Sequence, residues 1–84
     1  MHYVYVLQSE IDKNLYIGVT SDLRNRFQKH RLGEVKSTKN RRPFILVYYE
    51  AYRHKQDATK REYHLKTGQQ RELLKERLKN SLIK

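Results

Sequence analysis

Five side chains in this chain of 84 residues have types and spacings that could do chemistry together: Tyr5, Tyr16, Arg26, His30 and Glu62. Phosphodiester hydrolysis needs a water to be activated, charge on the phosphoryl oxygens to be neutralised and the leaving oxygen to be stabilised. Two phenols, a guanidinium, an imidazole and a carboxylate can supply all three services. Arg26 and His30 are i, i+4 neighbours in a helical pattern, so their heads can act together. Glu62 alone is enough to hold one Mg²⁺, or Mn²⁺ in its place. Such an ion keeps several waters and often binds through one carboxylate plus a substrate phosphate.

Each of these residues also has a plainer reading. Tyr5 and Tyr16 could be ordinary cross-strand aromatic partners. Arg26 could be one more charge on a basic helix, His30 a satisfied core histidine, and Glu62 half of an ion pair with a neighbouring arginine such as Arg26. Their joint order along the chain favours the functional set. His2, His54 and His64 have no matching partners and are assigned no role.

The elements that must position these side chains follow from periodicity. His2–Leu7 alternates, with Tyr3, Tyr5 and Leu7 on one face and Val4 and Val6 on the other, which predicts a strand. Gln8–Lys13 is polar and reads as a turn, and Asn14–Gly18 as the second strand of a hairpin. A register in which paired residue numbers add to 21 sets Tyr5 opposite Tyr16; an even sum would put them on opposite faces. Ser21 and Asp22 offer N-cap oxygens to a helix running to about Leu32 and stopping at Gly33, with Leu23, Phe27 and His30 as its core-facing stripe. Glu34–Arg42 shows no apolar period and reads as a mobile basic loop. Phe44–Tyr52 is the most strand-like run, and its apolar character on both faces predicts a well-covered position. A helix starts near Gln56 with Gly68 as its C-cap, and Ala58, Glu62 and Leu65 form its inward stripe. A last helix, from Gln69 to about Leu82, uses Leu73, Leu74, Leu78 and Leu82. The expected fold is α+β: a three-stranded antiparallel sheet flanked by helices, in the order β-β-α-β-α-α, forming a single domain over residues 1–84.

Composition narrows the partners. There are 19 Lys and Arg against 9 Asp and Glu, a net charge of +10, and no cysteine. Between Arg24 and Arg42 eight basic residues face one acid, Glu34. Such imbalance favours a polyanion, and nucleic acid is the commonest. Arg24, Lys29, Arg31, Lys36, Lys39, Arg41 and Arg42 are the expected nucleic-acid contacts. Disulfides and thiolate metal sites are excluded. No apolar run approaches the ~18–20 residues of a membrane span, and the N-terminus lacks the basic leader of a signal peptide, so a cytoplasmic location is expected.

Tyr3-Val4-Tyr5 followed by Tyr16-Ile17-Gly18 resembles the paired GIY and YIG signatures of the GIY-YIG nuclease superfamily. Arg26, ten residues past Tyr16, matches its arginine, and Glu62 in ATKREYHLK its metal-binding glutamate. The resemblance covers nearly the whole chain and is nearest to the small stand-alone bacterial members. It is more distant to the nuclease domain used in nucleotide-excision repair and to the branched-DNA structure-specific endonucleases. It implies a metal-dependent DNA endonuclease, with RNA as another possible substrate. Tyr5 or Tyr16 would help deprotonate the attacking water, and His30 would accept or relay the proton. Arg26 would bind the scissile phosphate, and Glu62 would hold one ion beside the leaving oxygen. Tyrosine, with an ordinary pKa of about 10, is a poor base at neutral pH, and the adjacent cations are expected to lower it. The reading fails if Glu62 lies on the far side of the sheet from Tyr16. Three positions depart from the pattern: Tyr3 replaces the first glycine, Val19 a lysine, and Leu74 an asparagine that some relatives carry.

Overall fold

The computed structural model describes residues 1–84. Strand β1 (His2–Ser9) lies at the centre of a three-stranded antiparallel sheet, between β2 (Leu15–Thr20) and β3 (Phe44–Tyr52). Helix α1 (Leu23–Arg31) follows β2, while α2 (Lys55–Leu65) and α3 (Gly68–Arg77) follow β3. The expected α+β class and β-β-α-β-α-α order therefore hold, with a short 3₁₀ turn at Lys39–Arg41 added before β3.

Period-two alternation in β1 feeds two separate apolar clusters. Val4 and Val6 point to one face and pack with Leu15, Ile17, Ala58, Leu65, Leu74 and Leu78, so α2 and α3 cover that side. Tyr5 and Leu7 point to the other, where Phe44, Leu46, Leu23 and Phe27 join them under α1. Every side chain from Val4 to Leu7 is essentially inaccessible to water. Burying a Val or Leu in this way contributes about 1.5–3 kcal/mol.

Four local expectations change. The central, well-covered strand is β1, and β3 is an edge strand whose side chains are mostly half-buried. Its two-sided apolar character comes from a bulge: pairing shifts between Val6–Tyr48 and Leu7–Leu46. The extra residue, Val47, packs in the same cluster as Tyr48. Gln8 and Ser9 belong to the strand and are buried. The Gln8 amide bonds Ile83 at both ends, and the Ser9 hydroxyl donates to the Arg41 carbonyl. Gly68 opens α3 instead of closing α2, whose C-cap is Lys66. Leu74 and Leu78 are buried, but Leu73 is 56% exposed, because the helix presents only one side to the sheet.

Candidate active site

The hairpin register places the two candidate tyrosines. Paired residue numbers add to 23 and not to 21, so Tyr5 lies opposite Gly18 and Tyr16 opposite Leu7. The turn sets this shift: Ser9 Oγ accepts from the N–H groups of Ile11 and Asp12, and Lys13 takes a positive φ of 63°. The sum stays odd, so the tyrosines share a face as diagonal neighbours, with ring centroids 6.3 Å apart. Gly18 is what lets Tyr5 lie across β2: a Cβ there would meet the phenol oxygen at 2.5 Å.

Helix α1 brings the other two groups. Asp22 caps it, its carboxylate accepting from the Asn25 N–H at 3.1 Å, an interaction worth about 1 kcal/mol. The helix then lays Leu23, Phe27 and His30 on the Tyr5 face as its stripe predicts, and His30 is fully buried. His30 Nε2 is 2.8 Å from the Tyr5 hydroxyl, and its ring is 5.1 Å from that of Tyr16, centroid to centroid. Arg26 Nε donates to the Tyr5 oxygen over a longer 3.4 Å. Beyond the two phenols no polar partner engages the Arg26 side chain, so most of the guanidinium is free for an anion.

The chain after α1 completes the pocket, which the sequence did not reveal. Gly33, at φ 77°, ends the helix; its N–H bonds the His30 carbonyl, and the Glu34 N–H bonds that of Lys29. This double closure is a Schellman turn. It folds Glu34–Arg42 back under the helix end, burying Val35 and Thr38. The Thr38 hydroxyl lies 2.8 Å from His30 Nδ1. The expected mobile loop is thus anchored at two points. The only sequence signal was Thr38 itself, a small polar residue among lysines, which no period distinguishes.

Electrostatics follow from burial. His30 is held neutral, its pKa lowered from 6.5 to about 4 by burial and then by the Arg26 charge. Tyr5 moves against expectation: burial raises its pKa and outweighs the lowering by its hydrogen bond to Arg26, while the charges of Tyr16 and Glu62 push further up. Tyr5 therefore keeps its proton and is placed to donate it. Tyr5 is 1% exposed, whereas Tyr16 is half-buried and reaches solvent.

Glu62 is the one member of the set that comes from the opposite layer. It lies on α2 between Ala58 and Leu65, which pack against the Val4–Val6 face. By face alone it would be separated from Tyr16, yet its charge bears on the Tyr5 phenol. Its side chain is 23% exposed, and its one ionic partner is Lys66, one turn on, at 3.5 Å; it does not pair with Arg26. A hard oxygen ligand so loosely held suits a cation completed by water and phosphate.

Two of the three departures have structural explanations. Val19 packs with the Val4–Val6 cluster, away from Tyr16, and Leu74 is a core residue at 3% exposure. Among the basic residues, Arg24, Lys29, Arg31, Lys36 and Lys39 are exposed. Arg41 is engaged by Asp12 at 2.8 Å and lies over the Phe44 ring. Arg42 packs on Gly33 and donates to the Lys39 carbonyl. A groove of about 550 Å³ runs beside the site, with Tyr3, Leu23, Arg24, Phe27, Leu46 and Tyr49 along it. No helix is long and apolar enough to cross a membrane.

Comparison with known proteins places the sequence and the fold. A UPF0213 protein of Staphylococcus haemolyticus is 41% identical over 75 residues, covering 88% of this chain and 90% of the relative. A UPF0213 protein of Staphylococcus aureus is 46% identical over 67 residues, or 79% and 80% of the two chains. The solution NMR structure of a UPF0213 protein from Bacillus halodurans superposes with a TM-score of 0.56 at 38% identity, covering 87% of this chain and 80% of that one. The family model of the GIY-YIG catalytic domain matches residues 1–78, a span that includes both tyrosine strands, α1 and Glu62. The chain therefore belongs to the GIY-YIG family, a nuclease superfamily.

Proposed function

We propose that this protein is a divalent-metal-dependent endonuclease that hydrolyses phosphodiester bonds in DNA, acting as one domain over residues 1–84. Branched or damaged DNA is the proposed substrate class, and a cytoplasmic location is proposed with it. The observation that carries the reading is the convergence of Tyr5, Tyr16, Arg26 and His30 on one face. An arginine with a nearly free guanidinium lies there beside a buried phenol–imidazole pair.

Each residue has a role its surroundings support. Arg26 receives the scissile phosphate. Its pKa is raised, chiefly by the hydrogen bond to Tyr5, so it stays charged throughout. Tyr16, the tyrosine that reaches solvent, orients the attacking water. Tyr5 takes up the water's proton as it passes its own to His30 Nε2. In the free protein that internal transfer is uphill, because burial raises the Tyr5 pKa above its ordinary value and lowers that of His30 to about 4. A phosphodiester at Arg26 would offset the charge that, after burial, holds His30 down, which favours the imidazole as final acceptor of the relayed proton. Glu62 would hold one Mg²⁺ or Mn²⁺, which when bound supplies Lewis-acid stabilisation of the leaving oxygen. Arg24, Lys29, Arg31, Lys36 and Lys39 would follow the DNA backbone. Arg42 lies at their margin, while Arg41 contributes mainly to the fold.

A second reading is a nucleic-acid-binding module that does not cut. Tyr5 is too buried to stack on a base, but the groove between Tyr3 and Tyr49, with Arg24 at its edge, offers a surface for one. One experiment separates the two. Labelled single-stranded, duplex, flap and branched DNA, with an RNA control, is incubated with and without Mg²⁺ and Mn²⁺. Cleavage that needs the ion and disappears with Glu62→Gln supports the nuclease. Metal-independent binding with no product supports the module.

A further inference from the structure

The hydrogen-bond chain through His30 has a direction, and its Arg26 end fixes it. At one end is Arg26, whose guanidinium has donors only. The Tyr5 oxygen must therefore accept from Arg26 Nε at 3.4 Å, and the phenolic proton is left to point at His30 Nε2, 2.8 Å away. At the other end is the Val35 carbonyl, which can only accept. The Thr38 hydroxyl donates to it at 3.4 Å, so Thr38 Oγ1 presents a lone pair to His30 Nδ1 at 2.8 Å. A neutral imidazole has one donor and one acceptor nitrogen. The arrangement that satisfies every group runs Arg26 to Tyr5 to His30 to Thr38 to Val35, each donating to the next. In the reverse direction Thr38 would give up its bond to the Val35 carbonyl. The Tyr5 oxygen would then receive from both Arg26 and His30, leaving its own proton without an acceptor.

We propose that Thr38 is a positioning residue that locks His30 in the Nδ1–H tautomer, leaving Nε2 as the acceptor for the Tyr5 proton. Thr38 touches no substrate; it acts through His30. It can do so because Gly33 reverses the chain and carries it back under the helix end. Thr38 and His30 are both fully buried, so no bulk water competes for Nδ1. The functional part of this inference rests on the nuclease reading, but the tautomer assignment does not.

Two measurements test it, one of them independent of activity. Long-range ¹H–¹⁵N spectra of the neutral imidazole report which nitrogen carries the proton. Wild type is expected to show the proton on Nδ1. Thr38→Val keeps the side-chain shape but removes the acceptor, and should shift population to the Nε2–H form; Thr38→Ser should restore Nδ1–H. In cleavage assays Thr38→Val should lower kcat about 100-fold with KM nearly unchanged, since the imidazole then offers the wrong nitrogen. Thr38→Ser should recover most of the rate, and it remains informative if the valine variant folds poorly. A wild-type His30 protonated on Nε2 overturns the proposal, as does a folded Thr38→Val with the wild-type tautomer or rate. If the wild type cuts no substrate, the nuclease reading fails, and the spectra still decide the role of Thr38.

Discussion

On one face of the sheet Glu50 satisfies nearly every oxygen lone pair it has; on the other, Arg26 leaves its guanidinium almost unused. Glu50 accepts from Tyr48 and Tyr52, both at 2.5 Å, and from Arg61 Nε and Nη2 at 2.9 and 3.1 Å. Burial alone would raise its pKa, but the bonds from Arg61, Tyr48 and Tyr52 hold it below the usual carboxylate value. Tyr52 is pushed up to about 12 by burial and by that same carboxylate. The cluster joins β3 to α2, and both Glu50 oxygens are fully engaged within it. Arg26, Tyr5 and His30 use similar residue types, yet the arginine has one long bond and the imidazole is neutral. Residue type therefore does not separate a saturated structural cluster from the one proposed to react. The balance of donors and acceptors does, because an unsatisfied arginine gains most when a phosphate arrives.

That contrast can be broken most sharply at Arg26. Arg26→Ala should cut Mg²⁺-dependent cleavage about 10²–10³-fold, or roughly 3–4 kcal/mol of transition-state stabilisation, with the melting temperature nearly unchanged. A comparable loss of stability without loss of rate would place Arg26 with the structural cluster.

Acid should reach the open site first. His30 titrates at 6.5 when unfolded and at about 4 when folded, so between those values the unfolded chain binds more protons. The associated stability is fully present above pH 6.5 and is lost as pH falls towards 4, up to about 3 kcal/mol. Glu50, with its depressed pKa, contributes only to losses below its ordinary 4.5. Urea unfolding from pH 7 to 4 should show the first slope, and His30→Gln should flatten it.

Arg61→Leu probes the closed cluster. It strands a Glu50 side chain that is only 16% exposed, and the ion pair is half-buried, so a loss of about 2–3 kcal/mol is expected. For a chain of this size that lowers the melting temperature by about 8–24 °C, and scanning calorimetry would read it. Cleavage below the melting range should persist, unless the cluster also sets the position of the adjacent Glu62.

Gly18→Ala carries the smallest effect. Its Cβ would press on the Tyr5 phenol at 2.5 Å, costing about 1–2 kcal/mol and displacing the hydroxyl from His30. Pairing it with Tyr5→Phe removes only the oxygen and leaves two ring carbons 2.6 and 2.9 Å from the added Cβ, so most of the stability cost should persist in the double variant; full recovery would show that the hydroxyl alone causes the clash.

How much of this was legible in advance differs by residue. The Leu23–Phe27–His30 stripe and the β1 alternation were readable because local geometry fixes which side chains share a face. The register was not, because a shift of two residues keeps every face unchanged and the Ser9-centred turn chose between them. The bulge at Val47 likewise made an edge strand look like a central one. Arg41 and Thr38 both sat in what read as one basic loop. One proved to be bonded to Asp12 and the other to His30, partners that lie 29 and 8 residues away.

Sequence by itself determined the α+β class, the element order, the basic surface and the five residues that could do chemistry, since those depend on composition, period and spacing. Tertiary structure alone decided that Tyr5 is buried, that burial outweighs Arg26 in setting its proton affinity, and that Thr38 closes the chain through His30. Those outcomes depend on which groups exclude water from one another, and no local stretch of sequence contains that information.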